Sequence, residues 1–127
     1  MILNVHHIAI ICGNYEHSKQ WYTEVLGLTL INEVYRAERE SWKGDFALNG
    51  QYIVELFSFP HSPARVSRPE ACGLRHLAFA VDDLQNEIER IKAMNVPVEP
   101  VRVDEFSNKR FTFIADPDGL PIELYEN

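Results

Sequence analysis

A chain of 127 residues is long enough for one compact domain with a hydrophobic core, and 46% hydrophobic with 24% charged residues is the make-up of a soluble globular protein. A net charge of −7 and a pI near 5.1 leave no basic footprint for a nucleic acid, and no apolar run approaches the ~20 residues of a membrane span. No basic segment precedes an apolar stretch at the N-terminus, so no secretory signal is expected, and Cys12 and Cys72 read as thiols of a reducing cytoplasm.

The apolar text from Asn4 to Cys12 predicts a first strand. Asn14 is placed to cap a helix to about Leu26, with Trp21, Tyr22, Val25 and Leu26 at helical spacing and Gly27 closing it. Leu28 to Glu38 and Trp42 to Leu48 predict two more strands. Asn49-Gly50 signals a type I′ hairpin turn into a fourth strand, Gln51 to Phe59. Pro60 to Gly73, with prolines at 60, 63 and 69, reads as a linker. The order then repeats. A strand over Leu74 to Val81 leads to a helix capped by Asp82, with Gln85 spaced for a capping box and Leu84, Ile88, Ile91 and Met94 as the apolar stripe. Pro97 to Asp104 predicts an edge strand because of its prolines, and Arg110 to Ala115 predicts another strand. Asp116-Pro117-Asp118-Gly119 is a turn before the last strand, Pro121 to Glu126. One domain over 1–127 is therefore expected, with module one at 1–59, the linker at 60–73 and module two at 74–127, each reading β-α-β-β-β.

Four polar residues interrupt these apolar strands at matched places. His7 lies in Val5-His6-His7-Ile8-Ala9-Ile10 and His76 in Leu74-Arg75-His76-Leu77-Ala78-Phe79. Glu55 and Glu123 lie in the fourth strand of each module, 48 and 47 residues after their histidines. A lone strand histidine is more often structural, and a lone strand glutamate more often solvated. Four such residues matched across a repeat point instead to one divalent metal, since two carboxylates cancel its charge and offset the cost of burying them. Imidazole nitrogen and carboxylate oxygen suit Zn or Ni first, then Co, Fe or Mn. Side-chain alternation puts His7 with Val5, Ala9 and Ile11, and puts His6 on the opposite face. His6 has Arg75 as its counterpart and reads as structural. The expected class is α+β, two βαβββ modules forming a curved mixed sheet around a metal site, with helices over the outer face.

These motifs resemble the vicinal-oxygen-chelate superfamily, the glyoxalase/bleomycin-resistance fold, and within it glyoxalase I (lactoylglutathione lyase). The likeness spans the chain and rests on His7-Ile8-Ala9-Ile10, Trp21-Tyr22-Thr23-Glu24-Val25-Leu26-Gly27-Leu28, Val54-Glu55-Leu56, His76-Leu77-Ala78-Phe79 and, most specifically, Asp116-Pro117-Asp118-Gly119-Leu120-Pro121-Ile122-Glu123-Leu124. The resemblance implies a metal held by His7, Glu55, His76 and Glu123. Extradiol dioxygenases and fosfomycin-modifying enzymes resemble a three-ligand pattern without the first-half Glu. Methylmalonyl-CoA epimerases resemble His-Gln-His-Glu, and bleomycin-binding members lack the ligands, so Glu55 favours the glyoxalase pattern. Bacterial glyoxalase I usually has an Arg four residues after the first His, where this chain has Ile11, and an Asn soon after the first Glu, where it has Phe57-Ser58-Phe59-Pro60. The resemblance is therefore to a separate glyoxalase-like subgroup with altered thiol recognition.

The expected function is that of a metal-dependent lyase or isomerase of glyoxalase I type. It would move a proton, through a metal-stabilised enediolate, on a small 2-oxoaldehyde–thiol adduct or a related substrate. Glu123 or Glu55 would be the base, and the resemblance favours Glu123. The alternatives are an Fe(II)-dependent dioxygenase, for which three protein ligands are usual, and a non-enzymatic small-molecule or metal-binding protein. Lys109 and Arg110 are candidates to hold an anionic group of the substrate, balanced by their reading as a solvated strand start. Arg36, Arg39, Arg65 and Arg68 carry the same ambiguity. Trp42 and Phe57 could line a pocket but read first as core, and His17 and His61 read as surface. A homodimer is expected: the linker is long enough for the modules to meet within one chain or between two, and the resemblance implies that modules from different chains complete each site. No nucleic-acid or membrane partner is expected.

Overall fold

The computed structural model describes all 127 residues, and the duplicated element order read from the sequence is present. In chain order the elements are β1 (Ile8–Cys12), α1 (Tyr15–Glu24), β2 (Thr29–Arg36), β3 (Ser41–Leu48) and β4 (Gln51–Ser58), then β5 (Leu77–Val81), α2 (Leu84–Ala93), β6 (Arg102–Val103), β7 (Arg110–Ala115) and β8 (Pro121–Glu126). The chain divides into two compact units, Met1–Ala64 and Arg65–Asn127. No helix is long and apolar enough to cross a membrane.

Each unit is a four-stranded mixed sheet with one helix. In the first, the order is β1-β4-β3-β2, with β1 parallel to β4 and the other pairs antiparallel. In the second, the order is β5-β8-β7-β6 with the same senses. The parallel sense follows from the crossover: the helix carries the chain back so that the second strand runs with the first, and two antiparallel steps give the fourth strand that same direction beside the first.

Alternation decides which face is core. In β4, Val54 and Leu56 are buried while Glu55 and Phe57 stay half-buried. In β8, Ile122 and Leu124 are buried while Glu123 and Tyr125 stay half-buried. Helix α1 packs on β4 in the first unit, with Tyr22, Val25 and Leu28 buried alongside Phe46 and Leu56. Helix α2 packs on β8 in the second, with Leu84, Ile88 and Ile91 buried alongside Ile114 and Ile122. Truncating a side chain as buried as Leu56 to alanine costs about 2–5 kcal/mol.

The turns follow their residues. Asn49 and Gly50 take φ of 51° and 80°, the pair of left-handed values that a type I′ turn requires. Gly27 takes φ 71° at the end of α1, where the Leu28 N–H reaches back to the Tyr22 carbonyl.

Several boundaries differ from the sequence reading, most by one or two residues. The cap of α2 is Asp83, not Asp82: its carboxylate accepts from the Asn86 N–H at 3.0 Å. Gln85 then falls one place short of a capping box and donates to Glu89 instead. The strand expected over 97–104 contracts to Arg102–Val103, because Pro97 and Pro100 bring no N–H. The Glu99 N–H alone reaches the Phe113 carbonyl from the preceding stretch. Finally, β1 and β5 start at Ile8 and Leu77, so both histidines stand one residue ahead of their strands. The two cysteines are thiols, Cys12 buried and Cys72 exposed.

Candidate metal centre

The two histidine–glutamate pairs are built by the same register. In the first unit Ile8 pairs with Val54, so His7 precedes and Glu55 follows a matched pair. In the second, Leu77 pairs with Ile122, and His76 and Glu123 stand in the same relation to it. The difference between 48 and 47 residues is thus absorbed outside the paired strands. His7 Nε2 lies 3.7 Å from Glu55 Oε1, and His76 Nε2 lies 2.8 Å from Glu123 Oε2. In both pairs the glutamate is the more enclosed partner, with side-chain exposures of 16% and 13% against 35% and 31% for the histidines. Both pairs lie on the sheet face opposite the core residues, where a ligand can reach them.

Each pair presents an imidazole nitrogen and a carboxylate oxygen, donors that suit a borderline divalent cation. Each offers two donors, and no group of three or more His, Cys, Asp or Glu is arranged to hold a metal ion on its own.

The surroundings of the two pairs differ sharply. Around Glu55 they are polar. Tyr52 donates its hydroxyl to Asp45 Oδ1 at 3.0 Å and to Glu55 Oε2 at 3.3 Å. Lys43 Nζ lies 2.9 Å from Asp45 Oδ1 and 3.3 Å from Glu55 Oε2. The Lys43 ammonium is held above its ordinary pKa, chiefly by its hydrogen bond to Asp45. Burial first, and then the Asp45 hydrogen bond, push the Tyr52 hydroxyl up, so it stays a donor. The Tyr52 ring stacks on His7 with centroids 5.0 Å apart.

His6 is not turned away as alternation suggested. Its Nδ1 lies 2.8 Å from His7 Nδ1, and its ring meets both His7 and Tyr52 edge-on. Residues 6 and 7 precede the strand, so the two-residue period does not govern them. When His7 carries its proton on Nδ1, bonded to His6, its Nε2 is left as a lone-pair donor facing Glu55.

Around Glu123 the surroundings are aromatic. Its cross-strand partner is Phe113, at the place where Glu55 has Asp45. Phe113 also meets His76 edge-on at 5.1 Å, and Arg102 lies over Phe111 and Phe113. His76 and Phe113 form part of the wall of a cleft of about 410 Å³ within the second unit, to which Arg75 and Arg102 also contribute.

Other sequence candidates go elsewhere. Lys109 Nζ donates to the Asn127 carbonyl, and Arg110 pairs with Glu126 at 2.8 Å. Neither lines the cleft beside His76. Trp42 stacks with Tyr15 and tilts against Tyr35, while Phe57 lies under the Arg36 guanidinium. His17 is exposed on α1 and His61 lies beyond β4.

Sequence reasoning missed Lys43, Asp45 and Tyr52. Lys43 and Asp45 were findable, since they alternate on β3 opposite Phe57 and Glu55. Tyr52 was not, because it lies three positions before Glu55 and simple alternation puts them on opposite faces. A bulge restores it: Phe46 pairs with Val54 but Ala47 pairs with Tyr52, leaving Ile53 as an extra residue that turns Tyr52 to the Glu55 side.

The chain belongs to the Glyoxalase/Bleomycin resistance protein/Dioxygenase superfamily, which matches residues 4–124. It is 62% identical to the uncharacterized protein YaeR of Escherichia coli over 96% of this chain and 95% of that one. It is 30% identical to a probable lactoylglutathione lyase of Vibrio cholerae, over 95% and 88% of the two chains. Its structure is similar to a glyoxalase family protein from Enterococcus faecalis, with a TM-score of 0.90, 44% identity and 97% of each chain covered.

Proposed function

We propose that this superfamily member is a metal-dependent lyase or isomerase of glyoxalase I type, with His7, Glu55, His76 and Glu123 as ligands of one divalent ion, Zn or Ni before Co, Fe or Mn. The observation that carries the reading is the identical placement of a His and a Glu around one matched strand pair in each unit. The two pairs would combine in one centre, within a chain or by exchange between two copies in a homodimer. A bound ion would supply Lewis acidity, stabilising negative charge that develops on two neighbouring substrate oxygens.

The remaining work falls to the chain's own groups. Glu123 takes a proton from one carbon of the substrate and returns it to the next, as a single base can when it stays beside both carbons. Glu55 is the fixed carboxylate, its Oε2 held by Tyr52 and Lys43 and its Oε1 turned to His7. Phe113 stands across the strand from Glu123 and meets His76 edge-on, so the base lies against an aromatic ring. The lactoylglutathione lyase likeness supports the reaction class at the level of the superfamily. In this reading the substrate is an adduct of a small 2-oxoaldehyde with a thiol, and the site of action is the cytoplasm.

The test is elemental analysis of the purified protein, followed by assay with methylglyoxal plus glutathione and with other thiols. One ion per pair of half-sites and turnover with one of the adducts is the expected result. Protein that binds no divalent metal at micromolar concentration sinks the proposal.

A further inference from the structure

The cleft beside His76 differs in charge from the protein around it. The chain carries −7 overall, yet this cleft is lined by Arg65, Arg68, Arg75 and Arg102 against Glu70 and Glu99, an excess of two positive charges. Such a local reversal of sign concentrates anions at one place on a molecule that otherwise repels them.

The four arginines divide by what already holds them. Arg65 is committed to the backbone. Its guanidinium donates to the Leu74 and Arg75 carbonyls at 2.9 Å each and to Ser67 Oγ at 3.0 Å. It ties the loop after Ala64 to the segment that leads into His76, and so acts as a positioning residue. Arg68 and Arg75 share one carboxylate, Glu70, at 3.5 and 4.0 Å, and both side chains are more than half exposed. Arg102 reaches Glu99 at 3.3 Å with one nitrogen and lies over the Phe111 and Phe113 rings at 5.2 and 5.3 Å. Stacking fixes the plane of that guanidinium and leaves N–H groups on its edge. None of these three is in a bidentate pair, the arrangement a carboxylate or phosphate oxyanion would complete.

The placement relative to His76 gives the cleft its meaning. Arg75 is the residue before His76 in the chain. Arg102 is joined to His76 through a single ring, since Phe113 meets His76 on its edge and carries Arg102 over its face. We propose that the cleft is an oxyanion subsite, and that the substrate carries a carboxylate or phosphoryl group, held by Arg75, Arg68 and Arg102, beside the oxygens that meet the metal centre. This rests on the proposed metal centre for its catalytic meaning. It supplies in the second unit the anion recognition that Lys109 and Arg110 were expected to provide, since those two are engaged with Asn127 and Glu126.

The test uses the full chain, first metal-free and then metal-loaded. Inorganic phosphate and acetate are titrated at constant ionic strength while the arginine Nε–H signals are followed by NMR. Metal uptake is measured separately on the same samples. Saturable shifts centred on Arg75 and Arg102, with affinity at least roughly tenfold weaker in the double variant Arg75→Gln/Arg102→Gln and metal uptake unchanged, are expected. Tighter phosphate than acetate assigns a phosphoryl group, and the reverse order assigns a carboxylate. Anion affinity unaffected by the double variant, or shifts spread equally over Arg36 and Arg39, overturns the proposal. Anion binding that survives in a protein taking up no metal refutes the metal centre and leaves the oxyanion subsite standing.

Discussion

Replacing Glu123 by glutamine is the sharpest probe of the proposed chemistry, because it alters charge and basicity while keeping shape. The side chain is 13% exposed, and its polar partner is His76 Nε2 at 2.8 Å. A glutamine amide fits the same volume and can still bond that nitrogen, so no cavity forms. The stability cost is the difference between a charged and a neutral hydrogen bond, about 1 kcal/mol. The amide oxygen can still coordinate a cation, but it cannot accept a proton at neutral pH. Losing a general base lowers the rate by roughly 10²–10⁴-fold, or about 2.7–5.4 kcal/mol in the barrier.

The expected outcome is therefore a folded protein that keeps most of its metal and loses turnover by that factor. The assay pairs steady-state rates on the adduct that wild type accepts with metal content of the same preparation. Solvent deuterium incorporation at the reacting carbon should fall in parallel with turnover. Turnover within a factor of three of wild type, in protein with normal metal content, would refute the role of Glu123 and turn attention to Glu55.

Three further outcomes follow from other parts of the structure. Tyr52→Phe removes the hydroxyl shared by Asp45 and Glu55 and should weaken metal affinity by about 10-fold or more with little change in fold; competition against a chromophoric chelator measures this, and unchanged affinity denies Tyr52 its positioning role. Gly44→Ala should destabilise the first unit by about 1–3 kcal/mol in urea, because the new methyl would collide with the Tyr15 hydroxyl, and Gly44→Ala/Tyr15→Phe should recover part of the loss. Glu33 is held below the ordinary carboxylate pKa of 4.5, chiefly by its hydrogen bond to Lys19 and then by Tyr15. A depressed carboxylate contributes stability above pH 4.5 and loses it as pH falls through the folded value. Glu33→Gln should accordingly flatten the acid limb of the stability curve between pH 3 and 5, by no more than about 1 kcal/mol for so open a pair, and an unchanged limb would refute the assignment.

The strongest signals in the sequence were local ones. Asn49-Gly50 specifies its turn through the backbone freedom of two adjacent residues, and the His–Glu pairs are specified by the residues on either side of them. Lys43 and Asp45 aside, what was missed needed tertiary information. Alternation failed for His6, which precedes the strand, and for Tyr52, which a bulge re-aims. The arginine cleft draws on the loop from Arg65, the segment before β5 and the remnant strand β6, three stretches that are distant in the chain. The cap was read at Asp82, but its neighbour Asp83 is the same residue type, and the hydrogen bond from Asn86 selects Asp83.

The contrast between the two carboxylates explains how a doubled framework can give unequal roles. Opposite Glu55 stands Asp45, and two carboxylates face to face on neighbouring strands repel unless a cation lies between them. Lys43 provides that cation and Tyr52 a shared proton, so Glu55 is clamped on one oxygen and turned to His7 with the other. Opposite Glu123 stands Phe113, which repels nothing and donates nothing. A carboxylate bound to one imidazole can rotate away and return by exchanging a single hydrogen bond, whereas releasing Glu55 means giving up a tyrosine hydroxyl and an ammonium as well. A ligand that must stay belongs in the first environment and a base that must move belongs in the second. The residue across the strand, Asp45 or Phe113, thus favours Glu123 over Glu55 as the proposed base, and Glu55→Gln should weaken metal binding before it alters proton transfer.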